Sequence, residues 1–381
     1  MSSIAKRPDG RWRARYRGPD RRERSKHFDR KVDADKWLAS ITVSADRGEW
    51  MDPVRSALPL SEWAREWLEG QQHLKASTRT RYAGLLKVHV IPAFGTTRLN
   101  GVRHSAVQSW VSELSRKGLA AATVRQAHRV LHLVLGLAVR DGRIARNPAD
   151  GVRLPKAATV EKRFLRHQQV HVLSNECGPY GCAVLMMGYA GLRFGELTAL
   201  RIADIDLVRR RALIRQAVTD VAGRLVVGTP KSHQQREVPV PAFLVERLAV
   251  ELAGRRPDEL AFPAPRGGYL RNTVFRRFYF DRAAEAVGLL GFTPHELRHT
   301  AASLAIASGA SVKVVQRMMG HASAAMTLDV YAGLFADDLD TVAARLDVLG
   351  RAAAEANADQ LRTEPPFSGR GVFKLSSRST A

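Results

Sequence analysis

The sequence predicts a multidomain α+β protein in three parts: a small basic β-sheet-plus-helix unit, an all-α bundle, and a mixed, mainly-α domain with a small antiparallel sheet. Three observations predict it. Apolar residues recur at a period of two near the N-terminus, at helical spacing through the next segment, and in both patterns after that. A basic, turn-rich stretch at residues 151–162 (GVRLPKAATVEK) separates the second part from the third. A length of 381 residues suits two or three domains and a sizeable core.

Residues 1–50 form the first unit. Residues 3–6 read as a strand closed by the turn Pro8-Asp9-Gly10. Trp12, Ala14 and Tyr16 then alternate with Arg11, Arg13 and Arg15, giving one face for a core and one for solvent or phosphate. Gly18-Pro19-Asp20 turns the chain, residues 24–28 return, and residues 32–43 read as a helix carrying Ala34, Trp37, Leu38 and Ile41.

Residues 58–150 read as four helices of a compact bundle. Pro59 opens the first, with Leu60, Trp63, Ala64 and Trp67 on one face. Ser77-Thr78 caps the second, which carries Tyr82, Leu85 and Leu86 and which Ile91-Pro92 and Gly95 break. Ser105 caps the third, with Val107, Trp110, Val111 and Leu114. The fourth carries Val124, Ala127, Val130, Leu131, Val134 and Ala138, and Asn147-Pro148 ends the block. Lys75, Arg79, Arg81, Lys87, Arg125 and Arg129 fall on exposed faces, as a solvated surface or a DNA-facing one.

In the third part, residues 168–173 and 180–190 read as helices, the second mostly apolar and buried. Residues 205–217 and 224–240 read as strands, with Asp206 and Arg209-Arg210 in turns. Residues 293–308, 312–319 (stopped by Gly320), 326–335 and 339–349 read as helices. The polar tail 355–381 is expected to be disordered.

Charge narrows the function. Lys and Arg number 60 against 37 Asp and Glu, a net charge of +23. Such a chain repels itself unless an anionic partner screens it, and nucleic acid is the commonest such partner. A solvated basic surface and membrane association are the other readings. No apolar run reaches the ~18 residues of a membrane helix, and the start MSSIAKRPDGRW has no apolar signal segment. A cytoplasmic protein is therefore expected. Cys177 and Cys182 fit neither a zinc pair nor a disulfide framework and are expected as reduced thiols. No Cys/His cluster has metal spacing, so no metal and no cofactor is expected.

The chemistry concentrates in a few segments. In Thr293-Pro294-His295-Glu296-Leu297-Arg298-His299-Thr300, His295 and Arg298 lie three apart and share a helix face. A guanidinium fork beside an imidazole suits a phosphate oxygen. Downstream stand Gly320-His321 and Thr327-Leu328-Asp329-Val330-Tyr331, and upstream Arg193 with Glu196 three residues later. Each fragment alone is weak, since such pairs are commonly helix surface and a helical Tyr is usually packing. The order is specific: Arg with Glu, a turn Lys, HxxR, Gly-His, then Tyr ten residues after that His.

AGLRFGELTALR resembles the first arginine box of the tyrosine recombinases, specifically phage-type integrases, and HELRHTAASL with MGHASAAMTLDVY resembles the second. The resemblance covers residues 58–350, and residues 1–50 resemble the arm-site DNA-binding unit of the larger integrases. It implies a clamp around DNA, with a helical core-site domain at 58–150 and a catalytic domain at 163–350. It also implies that Arg193 and Arg298 hold the scissile phosphate, that Lys231 in Gly228-Thr229-Pro230-Lys231-Ser232 is the hairpin lysine, and that His295 and His321 complete the site. Tyr331 would be the nucleophile, and Glu196 would orient Arg193. Arg11, Arg13, Arg15, Lys75, Arg79, Arg81, Arg125 and Arg129 would contact DNA. The partners implied are double-stranded attachment sites and a homotetramer on DNA, with a host DNA-bending protein and an excisionase as accessory factors.

The chemistry fits these residue types. Fixed cations stabilise the charge that grows on phosphate in the transition state. Tyr331 would form a covalent 3′-phosphotyrosine, which conserves the bond energy and removes any need for ATP. Lys231 would protonate the leaving oxygen, with His295 as assistant. His299, His128, His132, His167 and His171 read as structural, His104 and His233 as surface, Met318-Met319 as core, and Trp63 and Trp110 as bundle core. An amphipathic stretch, Leu339, Val342, Leu346 and Leu349, docks either on its own domain or on a neighbouring protomer. A Xer-like recombinase, a type IB topoisomerase-like enzyme and a non-catalytic DNA-binding regulator are the alternatives. Relaxation without site preference marks the topoisomerase, and absence of covalent DNA complexes marks the regulator.

Overall fold

The computed structural model describes residues 2–18, 21–46, 52–156, 162–230, 235–334 and 339–363. The chain divides into two compact units, residues 1–161 with 219–226, and residues 162–218 with 227–381.

The first unit begins with a three-stranded antiparallel sheet in the order β1 (Ser2–Lys6), β2 (Trp12–Arg17) and β3 (Glu23–Phe28). Its register pairs Ser2 with Tyr16 and Trp12 with Phe28. The period-two pattern puts Ala14 and Tyr16 on the inner face, where they meet Ala34 and Leu38 of the Lys31–Asp46 helix. Trp37 packs edge-on against Tyr16 at 5.4 Å.

The bundle follows, with a core of its own. All the apolar positions expected on the Leu60–Glu69, His104–Arg116 and Ala121–Arg140 helices are buried. Trp63 donates its indole N–H to Val134 O at 2.9 Å, which satisfies its one polar atom inside the core. Ser77, Thr78 and Ser105 do not cap. Lys75 and Arg103 hold the cap positions, and the expected capping residues sit inside the first turns. Ile91-Pro92 does not break the second helix either. The Ala76–Leu85 helix widens into a π-turn over Leu86–Val90, where the Ile91 N–H reaches Leu86 O, and continues through Ile91–Phe94. Pro92 has no N–H for an ordinary helical bond, and the wider turn accommodates that loss without ending the helix.

The second unit is mixed. Its core joins Phe262, Phe275, Phe280 and Phe292 to the Gly181–Ala190 helix, which is buried nearly all round, as its apolar sequence requires. β4 (Ile205–Asp206), β5 (Arg211–Ile214) and β8 (Arg236–Pro239) form one antiparallel sheet, and β6 (Ala217–Val221) pairs with β7 (Arg224–Gly228), a hairpin whose residues 219–226 belong to the first unit. The turn expected at Arg209-Arg210 is present, with Arg210 at φ 54°, whereas Asp206 lies in β4 rather than in a turn, and the strand expected over 224–240 is divided between β7 and β8. The Ala222-Gly223 turn has φ of 51° and 82°, the conformation that a tight two-residue hairpin needs.

The last helix, Leu339–Thr363, runs well past the expected end at residue 349, so residues 355–363 are helical rather than a disordered tail, and residues 364–381 lie outside the described residues. Its sequence continues in Ala, Glu, Gln, Leu and Arg, strong helix formers that carry the helix beyond its apolar stretch. Val342, Leu346 and Leu349 are exposed. No helix among the described residues is long and apolar enough to cross a membrane.

Candidate active site

Two helix stops and three helix starts bring the site's side chains together. Gly191 ends the Gly181–Ala190 helix in the left-handed conformation (φ 69°), and a side chain there would run into Met319. Arg193 follows at the start of the Phe194–Ala199 helix, where Glu196 accepts the Arg193 backbone N–H at 2.9 Å. Thr293 and Glu296 cap the Pro294–Ala307 helix reciprocally, with Glu296 accepting the Thr293 N–H at 2.7 Å, and this fixes the helix that carries His295, Arg298 and His299. Gly320 stops the Val312–Met319 helix at φ 60° and leads into His321. Ser323 then caps the Ala324–Tyr331 helix by accepting from Met326 N at 3.3 Å, and Tyr331 is its last residue.

A buried carboxylate organises the cations. Glu196 is 1% exposed and receives Arg193 Nη1 at 2.8 Å, with Arg236 gripping both its oxygens at 3.0 and 2.7 Å. Arg236 also donates Nε to Met318 O at 3.0 Å, so it ties β8 to the turn before His321. Burial raises the affinity of Glu196 for a proton, but Arg236's hydrogen bonds and charge, with Arg193 beside it, outweigh burial and hold it down to about 2. Arg298 is buried and donates to Gly191 O and Met319 O. Those bonds aim a guanidinium whose five N–H groups exceed the acceptors it has met. Burial and the charge of Arg193 pull it down to about 9, which leaves it charged at neutral pH. Three guanidiniums therefore gather around one carboxylate. The surplus positive charge in a partly buried place is a demand for an anion.

Tyr331 stands within that field. Burial pushes its phenol up to about 12, opposed by the charge of Arg298. It is 2% exposed, its ring lies 6.4 Å from Phe164, and its hydroxyl hydrogen-bonds His299 Nδ1 at 2.8 Å. His321 Nδ1 is 3.0 Å from Thr327 Oγ1, and burial with the charges of Arg298 and Arg193 pushes its ring down to about 4. His295 is exposed, with its ring 5.1 Å from that of His299. An open cleft of about 550 Å³ adjoins, lined by Arg236, Lys313, Gln316, Arg317 and His321.

Arg193, Glu196, His295, Arg298, His321 and Tyr331 thus fall in one neighbourhood. Lys231 and His233 lie outside the described residues. The basic residues expected at DNA belong to the other unit. Arg11, Lys75, Arg81, Arg125 and Arg129 are exposed there, and Arg13, Arg15 and Arg79 are half-buried. His104 bonds Pro148 O at 3.2 Å. Met318 and Met319 are core.

Sequence reasoning missed two residues. Arg236 stands in register with Val238 and Val240, both buried, and an arginine on the buried side of a strand needs a buried acceptor. That was its signal. His299, expected to pack near the site, instead binds the phenol. Its signal was the four-residue spacing from His295 on one helix face.

A cationic cluster beside a buried tyrosine is an arrangement suited to an anionic ester. The chain belongs to the phage integrase family of tyrosine recombinases, and it is a site-specific DNA recombinase that transfers strands through a tyrosine nucleophile. The phage integrase family pattern matches residues 163–337, the phage integrase N-terminal domain residues 2–47, and the phage integrase N-terminal SAM-like domain residues 60–115. The prophage phiRv2 integrase of Mycobacterium tuberculosis is 31% identical over 340 residues, spanning 84% of this chain and 88% of that one. Among solved structures, the Tn1549 transposon integrase in complex with transposon right end DNA superposes with a TM-score of 0.66 at 21% identity, covering 77% of this chain and all of that one. The lambda integrase tetramer bound to a Holliday junction superposes with a TM-score of 0.57 at 18% identity, covering 86% of this chain and 94% of that one.

Proposed function

We propose that Tyr331 is the nucleophile that cuts one DNA strand at a time, forming a 3′-phosphotyrosine during the integration and excision of a prophage or other mobile element. Arg193 and Arg298 hold the non-bridging oxygens of the scissile phosphate, and His321 hydrogen-bonds it. Charge that develops on those oxygens meets cations already fixed by Glu196, Gly191 O and Met319 O, so little reorganisation is needed at the moment of reaction. His295 assists in proton transfer at the leaving group, and Lys231 is the acid that protonates the departing 5′ oxygen. The single observation that carries this reading is the placing of Tyr331 within the electrostatic reach of buried Arg298, itself beside Arg193.

Residues 1–50 act as the arm-site unit, 58–150 as the core-site DNA-binding domain and 163–350 as the catalytic domain. The reaction runs in a homotetramer, with four active sites serving two duplexes, and a host bending protein and an excisionase set its direction. The exposed Val342, Leu346 and Leu349 support docking of the last helix on a neighbouring protomer.

The test is to trap the protein on labelled DNA made from the genomic junction beside its own coding sequence. Wild type gives a covalent adduct. Tyr331→Phe binds the same DNA and gives none. A covalent adduct from Tyr331→Phe refutes the assignment.

A further inference from the structure

We propose that His299 is the base that takes the proton from Tyr331 during cleavage and the acid that returns it during rejoining. The inference rests on Tyr331 being the nucleophile. It departs from the expectation that His299 merely packs.

The geometry is direct. His299 Nδ1 lies 2.8 Å from the Tyr331 oxygen, within the range in which a proton can pass. Bulk water is a poor alternative acceptor, because Tyr331 is 2% exposed. The phenol is held on this partner from the other sides. Phe164 packs on its ring, and Lys162 Nζ donates to Val330 O at 3.2 Å. His299 shares a helix with Arg298, so the base and the guanidinium that meets the phosphate move as one rigid piece. His295 is exposed and its ring meets that of His299 edge to face.

The protonation state suits the role. His295, Arg298 and Glu296 face His299 from its own helix, Lys162 from the chain before it, and Tyr331 from the helix opposite. Burial above all, with His295, Lys162 and Arg298, pushes the ring down to about 4, so it is neutral at pH 7, and in the tautomer that carries its hydrogen on Nε2 the Nδ1 lone pair faces the phenol hydroxyl. A phosphodiester anion entering beside Arg298 offsets those cations and makes the imidazole more basic when the proton must move.

The step balances. The Tyr331 O–H bond breaks, its oxygen bonds to phosphorus, and the phosphorus–O5′ bond breaks. The phenol proton goes to His299 Nδ1, and the departing 5′ oxygen takes its proton from the acid on the far side. In rejoining, a 5′-hydroxyl attacks phosphorus and returns its proton to the group on the far side, the phosphotyrosine bond breaks, and protonated His299 gives its proton back to the tyrosine oxygen.

The experiment compares two reactions in one variant. His299→Asn can still accept the phenol's hydrogen bond but cannot take up its proton. On a nicked suicide duplex built from the protein's own genomic junction, cleavage by His299→Asn is expected to fall about 10²-fold or more with DNA binding retained. In a Tyr331→Phe background, the same substitution is tested on DNA ending in a 3′-p-nitrophenyl phosphate. Nitrophenolate leaves without a proton, so ligation to a 5′-hydroxyl is expected to be undiminished. His299→Ala, which empties the space rather than filling it, is expected to show the same contrast. Wild-type cleavage by His299→Asn, or equal loss in both reactions, overturns the proposal, the latter by revealing a structural role. Cleavage by Tyr331→Phe itself would sink the nucleophile assignment instead, and this inference with it.

Discussion

Glu196 offers the most quantitative test of how the site is held. Its carboxylate is 1% exposed and held down to about 2, against 4.5 for an ordinary glutamate. That depression corresponds to about 3 kcal/mol of folding stability. Because the folded value is depressed, that stability is fully present above pH 4.5 and is lost as the pH falls toward 2. Glu196→Gln keeps the shape and removes the charge. The variant should be less stable than wild type by about 3 kcal/mol at pH 7, and the gap should shrink to roughly 1.5 kcal/mol at pH 3, where the unfolded-state carboxyl is protonated and about half of the folded state's advantage has gone. Urea unfolding followed by circular dichroism measures it. A gap that stays constant from pH 7 to pH 3 would refute the electrostatic account and leave the introduced glutamine as a packing defect.

Two further substitutions probe the same framework. Arg236→Ala removes a bidentate partner from a buried carboxylate and should cost about 3–5 kcal/mol; Arg236→Lys should recover only part, since an ammonium cannot grip both oxygens at once. On the proposed reading, in which Arg193 holds the phosphate and Glu196 holds Arg193, adduct formation per bound complex should fall in the same order. Gly191→Ala should add about 1–2 kcal/mol of strain from its left-handed backbone and about 1–3 kcal/mol of overpacking against Met319, measured as a shift of the urea midpoint. An unshifted midpoint would mean that the 181–190 helix does not need its tight stop.

The sequence by itself determined what short-range geometry determines. Period-two alternation placed Ala14 and Tyr16 inward, helical spacing placed the bundle faces, and Gly320 marked a helix stop. Those features depend on neighbours three or four residues away, and the chain carries them wherever it is. Order along the chain also singled out Arg193, His295, Arg298, His321 and Tyr331 before any of them had a partner. Where local signals competed, the reading slipped: Pro92 was absorbed by a wide turn, and strong helix formers carried the last helix to Thr363. Only the tertiary structure decided which groups meet. Arg236 reaches Glu196 across 40 residues, His299 reaches Tyr331 across 32, and Arg298 reaches Gly191 O across 107. Partners that far apart are chosen by how helices pack and which polar groups burial leaves in need of one another, and no spacing rule along the chain encodes that choice.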